Sequence, residues 1–358
     1  MNNVTQQQLD YILQSAILAP SADNHHQIRF EIISNTIHIY HTRTQFPLEG
    51  EYKWVLALLS LGAITENIAL AASRFNFHTE AIPFPDPNDP RLIMQITLHT
   101  DKTEEDDPLR EMIPLRHTNR NLRFHGPSMT QAEQETLHQA IQKYSDCKLH
   151  WLDKSTLRKQ SLCLMRIAET ERFRNPILHE ELFSAIRFDI GWHTSCTEGL
   201  PPGALGIESL SRGFFSLLRH WPIAQLANSF GIHHVLGFRS SYLLCRLAPH
   251  LCALSVKKID TQSILQAGRS FQRLWLTLTK QRHVLQPMPA SAIYALPQAI
   301  NEGIPATLQQ RLATGWRAIF PENIPVILFR TGNAQNQSVV SQRPEITHFL
   351  QKNHSENK

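Results

Sequence analysis

From Trp54 to about Phe75 the sequence sets Val55, Leu58, Leu59, Gly62, Ala63, Ile68 and Ala71 on most sides of a single helical stretch. A helix that is apolar nearly all round cannot lie on a protein surface, so the remainder of the chain has to wrap it as a central buried helix. With 358 residues, 42% of them hydrophobic, there is material for one large core or two smaller ones.

The flanking elements read locally. Thr5 with Gln8 forms a helix-start box, and Leu9, Ile12, Leu13, Ala16 and Ile17 recur at helical spacing until Pro20. Arg29 to Ile33 and Ile37 to Tyr40 are β-prone runs joined through Ser34-Asn35-Thr36, which predicts a hairpin, and Leu92 to Leu98 predicts a further strand. The polar run Asp101 to Asp107 reads as a linker, with a boundary near residue 110. Beyond it, Thr130 and Glu133 open a second helix through Ala140 and Ile141, Leu149 to Leu152 reads as a strand, and Ser155 to Glu171 as helix. Pro201-Pro202-Gly203, Gly213 and Gly231 break the stretch from about Phe183 to Leu254 into short apolar helices, as in a cap. Ile264 to Lys280 is an amphipathic helix, and Pro325 to Arg330 a late strand.

Composition excludes several classes. Lys and Arg number 35 against 31 Asp and Glu; a dispersed net charge of +4 predicts neither a nucleic-acid nor a membrane partner and leaves room for one anionic ligand. Five widely spaced cysteines form no CxxC pair and read as reduced thiols. The first twenty residues lack a basic region followed by an apolar block, and no stretch approaches the roughly eighteen uninterrupted apolar residues of a membrane span; the expected compartment is the cytoplasm. The 19 histidines, including His25-His26, His38 with His41, and His233-His234, have no Cys or carboxylate at metal-ligand spacing, so no metal is expected. No G-x-S-x-G, G-x-G-x-x-G or Walker loop occurs.

Two short segments have chemical content. Arg116-His117-Thr118-Asn119-Arg120 puts two guanidinium forks four residues apart with a hydroxyl between them, a donor set suited to a phosphate monoester and unable to act as a redox group. Taken alone, it is also a solvated basic loop. Ala19-Pro20-Ser21-Ala22-Asp23-Asn24 ends a helix and crowds small polar side chains into a turn; taken alone, it is also an ordinary helix end.

Together they resemble the nitroreductase-like FMN-binding family. Ala19 to Asn24 resembles its APS-x-x-N turn and Arg116 to Arg120 its R-x-[ST]-x-[KR] phosphate loop. Gly62 to Asn67 with Ala71-Ala72 is similar to its central helix, and Gln266-Ala267-Gly268 through Arg273 to Thr277, Leu285-Gln286-Pro287, Phe329 to Gly332 and Gln342-Arg343-Pro344 are similar to its C-terminal stretches. The turn precedes the phosphate loop by almost a hundred residues, the arrangement of the duplicated Acg-type proteins, in which two such units form a pseudo-dimer with one complete FMN site.

This resemblance implies an α+β fold of two nitroreductase-like units, residues 1–110 and 111–358, with a helical lid inserted at about 183–255. It implies that Arg116, Thr118, Arg120 and Arg343 hold the FMN phosphate, that Pro20, Ser21 and Asn24 approach the flavin from the first unit, and that Gln286 and Pro287 lie beside its ring. The implied activity is transfer of electrons from NAD(P)H through FMN to a small nitro or quinone acceptor, the flavin carrying the chemistry, in a monomeric pseudo-dimer or a homodimer. Where the family has N-x-Q-P-W, this chain has His26, Gln27 and Ile28 at the last three positions. That departure, with the lid, keeps open a second reading, a protein that sequesters FMN without turning it over.

Overall fold

The computed structural model describes residues 4–43 and 46–351; residues 1–3, part of the N-terminal stretch read above, lie outside it. Helix α1 (Gln6–Ile17) starts on the capping box of Thr5 and Gln8, and the hairpin β1 (Ile28–Ile33) and β2 (Thr36–His41) follows. Then come α2 (Tyr52–Ser73), β3 (Phe77–Pro83) and β4 (Leu92–Thr100), closing a four-stranded antiparallel sheet of order β1-β2-β4-β3. Strand β3 is absent from the sequence reading: it lies at a sheet edge, and its inner positions hold Thr79, Ala81 and Pro83 while His78, Glu80 and Ile82 are exposed, so its residues lack the apolar alternation of a half-buried strand.

The second sheet repeats this plan. Helix α3 (Gln131–Ile141) opens on the Thr130–Glu133 box and leads to β5 (Cys147–Trp151). Six helices then intervene: α4 (Ser155–Arg174), α5 (Pro176–Ser184), α6 (Arg212–Leu217), α7 (Trp221–Ser229), α8 (Ile232–Gly237) and α9 (Leu244–Arg246). Strand β6 (His250–Val256) precedes α10 (Thr261–Lys280), β7 (Val284–Pro287), α11 (Ala290–Ile293), α12 (Ala306–Ile319) and β8 (Ile324–Gly332). The sheet order is β5-β6-β8-β7, so each sheet has its first, second, fourth and third strands side by side and a long helix between its second and third. The expected cap at 183–255 is corrected at its far end, since 250–256 is an inner strand with every residue buried. Its apolar run without alternation has the pattern of a strand covered on both faces and is indistinguishable in sequence from a buried helix.

Helix α2 is long and apolar enough to cross a membrane, yet 78% of its most apolar window is buried inside the protein. It crosses α10 at a reciprocal glycine contact. A Cβ on Gly62 would stand 2.3 Å from Leu265 O and 2.9 Å from Gly268 Cα, and a Cβ on Gly268 would stand 2.3 Å from Leu59 O. Only glycine permits so close an approach. Beside the crossing, Glu66 of α2 is fully buried and accepts from Arg269 Nε at 2.8 Å and Arg273 Nη1 at 2.9 Å. Burial raises its pKa, but Arg269, Lys143 and Arg273 outweigh burial and bring it down to about 2. Arg273 also donates to Asp107 at 2.7 Å, so the polar run 101–107 is tied at its end to α10 rather than free. One hydrophobic core runs continuously through both sheets and both long helices.

Candidate functional site

The corner that follows α1 is strained. Asp23 and Asn24 take left-handed backbone angles, φ 51° and 59°, which Asp and Asn tolerate better than most side chains. The Asn24 amide holds the turn in place: Nδ2 donates to Thr197 O at 3.2 Å and Gly199 O at 3.1 Å in the segment before α6, and Oδ1 accepts from Arg343 Nη1. His26 Nε2 lies 3.0 Å from the same Thr197 carbonyl.

The loop 116–120 is pinned from beneath. Thr118 bridges to Leu285 of β7, Asn119 N donates to Leu285 O at 3.1 Å, and the fully buried Asn119 amide donates to Gln335 O at 2.9 Å. Arg116 Nη2 donates to Leu18 O at 3.0 Å, while Arg343 donates from Nε to Ile17 O at 2.9 Å and from Nη2 to Ala19 O at 2.8 Å. Two arginines from distant parts of the chain thus meet at the last carbonyls of α1, the negative end of its dipole.

These segments enclose one cavity of about 80 Å3. Pro20, Ser21, Asp23 and Asn24 form one wall, Arg116, His117, Thr118 and Arg120 a second, and Val340, Ser341 and Arg343 a third; Leu200 and Ala204 of the cap region close it. Gln342 N donates to Cys196 O, joining the C-terminal wall to the cap. Gly206, at φ 68°, sits so close to Arg120 that a Cβ there would stand 2.2 Å from its carbonyl oxygen.

Seven of the nine residues implied by the resemblance therefore line a single cavity: Pro20, Ser21, Asn24, Arg116, Thr118, Arg120 and Arg343. Gln286 and Pro287 do not line it, although their strand supports the loop. The Gln286 side chain turns inward and accepts from Arg330 Nε at 2.8 Å. Arg330, fully buried over the Phe124 ring, donates onward to the carbonyls of Leu122 and Leu244. Sequence reasoning had no signal for that role beyond Arg330's place in a motif. Trp275 of α10 is buried, and the Arg116 guanidinium stacks 4.5 Å over its ring, a contact with no signature in the sequence.

The charge in the cavity is unbalanced. Among the described residues, no carboxylate lies within ion-pair distance of Arg116, Arg120 or Arg343, and Asp23 is the one acid on the lining. Enclosure, reinforced by Arg343, pushes Arg116 down to about 9; enclosure pushes Arg343 down to about 10 and lowers Arg120 as well. Three polar atoms at the cavity, Ser21 Oγ, Arg116 Nε and His117 Nε2, are buried without a partner. Desolvated cations beside unpaired polar atoms are costly, and an anion with several oxygens would relieve both costs at once. Burial, followed by the field of Arg343, lowers His26 to about 4, so its ring is neutral and Nε2 carries the proton donated to Thr197 O. Among the described residues no group of His, Cys, Asp and Glu could hold a metal ion, and all five cysteines are free.

No protein-family model matches this sequence, and no curated protein sequence matches it. Solved structures match parts of the chain at low similarity. The FMN-dependent nitroreductase NfnB from Mycobacterium smegmatis, solved with NADPH, superposes with a TM-score of 0.38 at 14% identity, covering 68% of this chain and 97% of that one. A nitroreductase with bound FMN from Bacteroides fragilis gives 0.35 at 7% identity over 70% and 97% of the two chains. A BluB-like flavoprotein from Clostridium difficile gives 0.38 at 10% identity over 69% and 99%.

Proposed function

We propose that this chain is an FMN-dependent oxidoreductase built as two nitroreductase-like units, 1–110 and 111–358, of the duplicated Acg-type arrangement, with one flavin site at their seam. The observation that carries this reading is the meeting, at one cavity, of three guanidinium groups without carboxylate partners and the Pro20-Ser21 corner of the other unit. Repetition of the strand order in the two sheets supports the duplication.

In this reading Arg116, Arg120 and Arg343 balance a phosphate dianion, and Thr118 Oγ1, Ser21 Oγ and Arg116 Nε supply donors to its oxygens. Bound FMN would supply the redox chemistry, with NAD(P)H as the reductant and a small nitro or quinone compound as the acceptor. The cavity suits the phosphate; at about 80 Å3 it is well below the roughly 300 Å3 at which sites for larger ligands begin, so the ring would extend beyond it, and Leu200 and Ala204 of the cap region border the space. That cover favours the second reading, a protein that sequesters FMN.

The absorption spectrum of the purified chain, before and after added FMN, tests the first claim: a flavin band is expected, and a colourless protein that does not take up FMN overturns it. The double variant Arg116→Ala with Arg343→Ala tests the site, since unchanged FMN affinity overturns the assignment. Rapid bleaching of bound flavin by NADH or NADPH establishes turnover, whereas persistent colour under excess reductant establishes sequestration.

A further inference from the structure

The helices between β5 and β6 bury one face and leave another bare. In and just before α6, Leu210, Phe214 and Leu217 are exposed at helical spacing while Phe215 and Leu218 are buried beneath them. In α7 and its end the same holds for Ile223, Leu226 and Phe230, with Ala224 buried opposite; Leu226 is 64% and Phe230 81% exposed. Large apolar side chains exposed singly are ordinary, but two stripes on consecutive helices are a surface that something covers.

Charge indicates what covers it. From residue 209 to residue 259 the chain contains no Asp or Glu, while Arg212, Arg219 and His220 fall within the span of the stripes in sequence and His233 and His234 follow in α8. Of the acids on neighbouring elements, Glu208 is engaged with Arg239 at 2.7 Å and Asp189 with Arg187 at 2.7 Å, while Glu180 of α5 is exposed. A second copy of this chain is a poor occupant, because face-to-face pairing would set Arg212 and Arg219 of the two copies near one another with no carboxylate of either segment between them. A span is excluded for this face, because α6 and α7 have six and nine residues.

We propose that α6 and α7 form a peripheral docking face for an anionic membrane surface, with Leu226 and Phe230 entering the headgroup region and Arg219 and His220 meeting lipid phosphates. Interfacial helices bind in this way, through apolar area on one side and basic residues at its rim. The small net charge of the whole chain predicts no membrane partner, but that average conceals a segment from which every acid is absent. This inference is independent of the flavin reading.

The test uses the full chain in flotation with phosphatidylcholine vesicles, with and without phosphatidylglycerol, alongside the variant Leu226→Glu/Phe230→Glu. Binding to the anionic vesicles alone is expected, weakened by salt and reduced about a hundredfold or more in the variant. Absence of binding to anionic vesicles overturns the proposal, as does binding that the substitutions leave unchanged. A concentration-dependent dimer that the same variant converts to monomer, with no vesicle binding, assigns the face to self-association instead. Circular dichroism checks the variant's fold, and the single substitution Phe230→Ser, at a side chain already facing water, repeats the test should the double variant misfold.

Discussion

Arg343 donates to the side-chain oxygen of Asn24 across 319 residues of sequence, and the same arginine reaches the carbonyls of Ile17 and Ala19. The C-terminal segment is thereby locked onto the end of the first helix, and the cavity exists because of that lock. Asn24 completes it by reaching the carbonyls of Thr197 and Gly199 with its other amide atom.

Asn24→Ala should therefore be a structural lesion as well as a loss at the cavity wall. It removes one acceptor of the desolvated Arg343 guanidinium and the amide donor to the Thr197 and Gly199 carbonyls, and puts alanine at φ 59°, where asparagine is better tolerated. A loss of about 2–3 kcal/mol in urea unfolding is expected, and an unchanged midpoint would show that the clip contributes nothing.

Arg116 should behave in the opposite way. Its guanidinium is desolvated, repelled by Arg343 and matched by no carboxylate, costs that offset what its hydrogen bond to Leu18 O and its stack on Trp275 contribute to the protein without ligand. Arg116→Ala should weaken FMN binding about tenfold or more, the worth of one charge-assisted contact, while the unfolding midpoint of the ligand-free protein stays level or rises. Flavin fluorescence titration and urea unfolding of the same samples separate the two effects; a large drop in stability with unaltered FMN affinity would make Arg116 a helix cap alone.

Acid should destabilise the protein partly through His26. The unfolded chain takes up this proton near pH 6.5, whereas the folded chain resists it until about 4, because of burial and then Arg343. Stability contributed by the neutral ring is thus complete above pH 6.5 and is lost as pH falls through the window down to about 4. His150 is lowered to about 4 by burial as well, so the His26→Gln variant should lose stability over this range with a shallower slope, not a flat one. Unfolding midpoints at intervals of pH measure both slopes, and coincident slopes would refute the assignment.

Gly268→Ala should be costly although it raises helix propensity. The added methyl group would stand 2.3 Å from Leu59 O, a backbone atom that cannot move without shifting α2. Overpacking at such a contact costs about 1–3 kcal/mol or more, against a gain of at most about 1 kcal/mol from propensity. A lowered melting temperature is the expected outcome, and a raised one would mean that the two helices can separate freely.

What could be read from the chain without coordinates is what local physics controls. The capping residues Thr5 and Thr130 start their helices because side chain and backbone meet within one turn, and α2 had to be central because it has no polar face to give to water. The motif residues could be nominated as a set through their order along the chain. Their meeting at one cavity could not, since it depends on a C-terminal arginine closing onto the first helix across 319 residues. Likewise Gln286 turns to Arg330 rather than to the cavity, β6 is a strand rather than part of the cap, and one face of α6 and α7 is left bare. Hydrophobic periodicity shows that an element has an apolar face; which neighbour covers that face is settled by packing among residues far apart in the chain, and no local pattern contains that information.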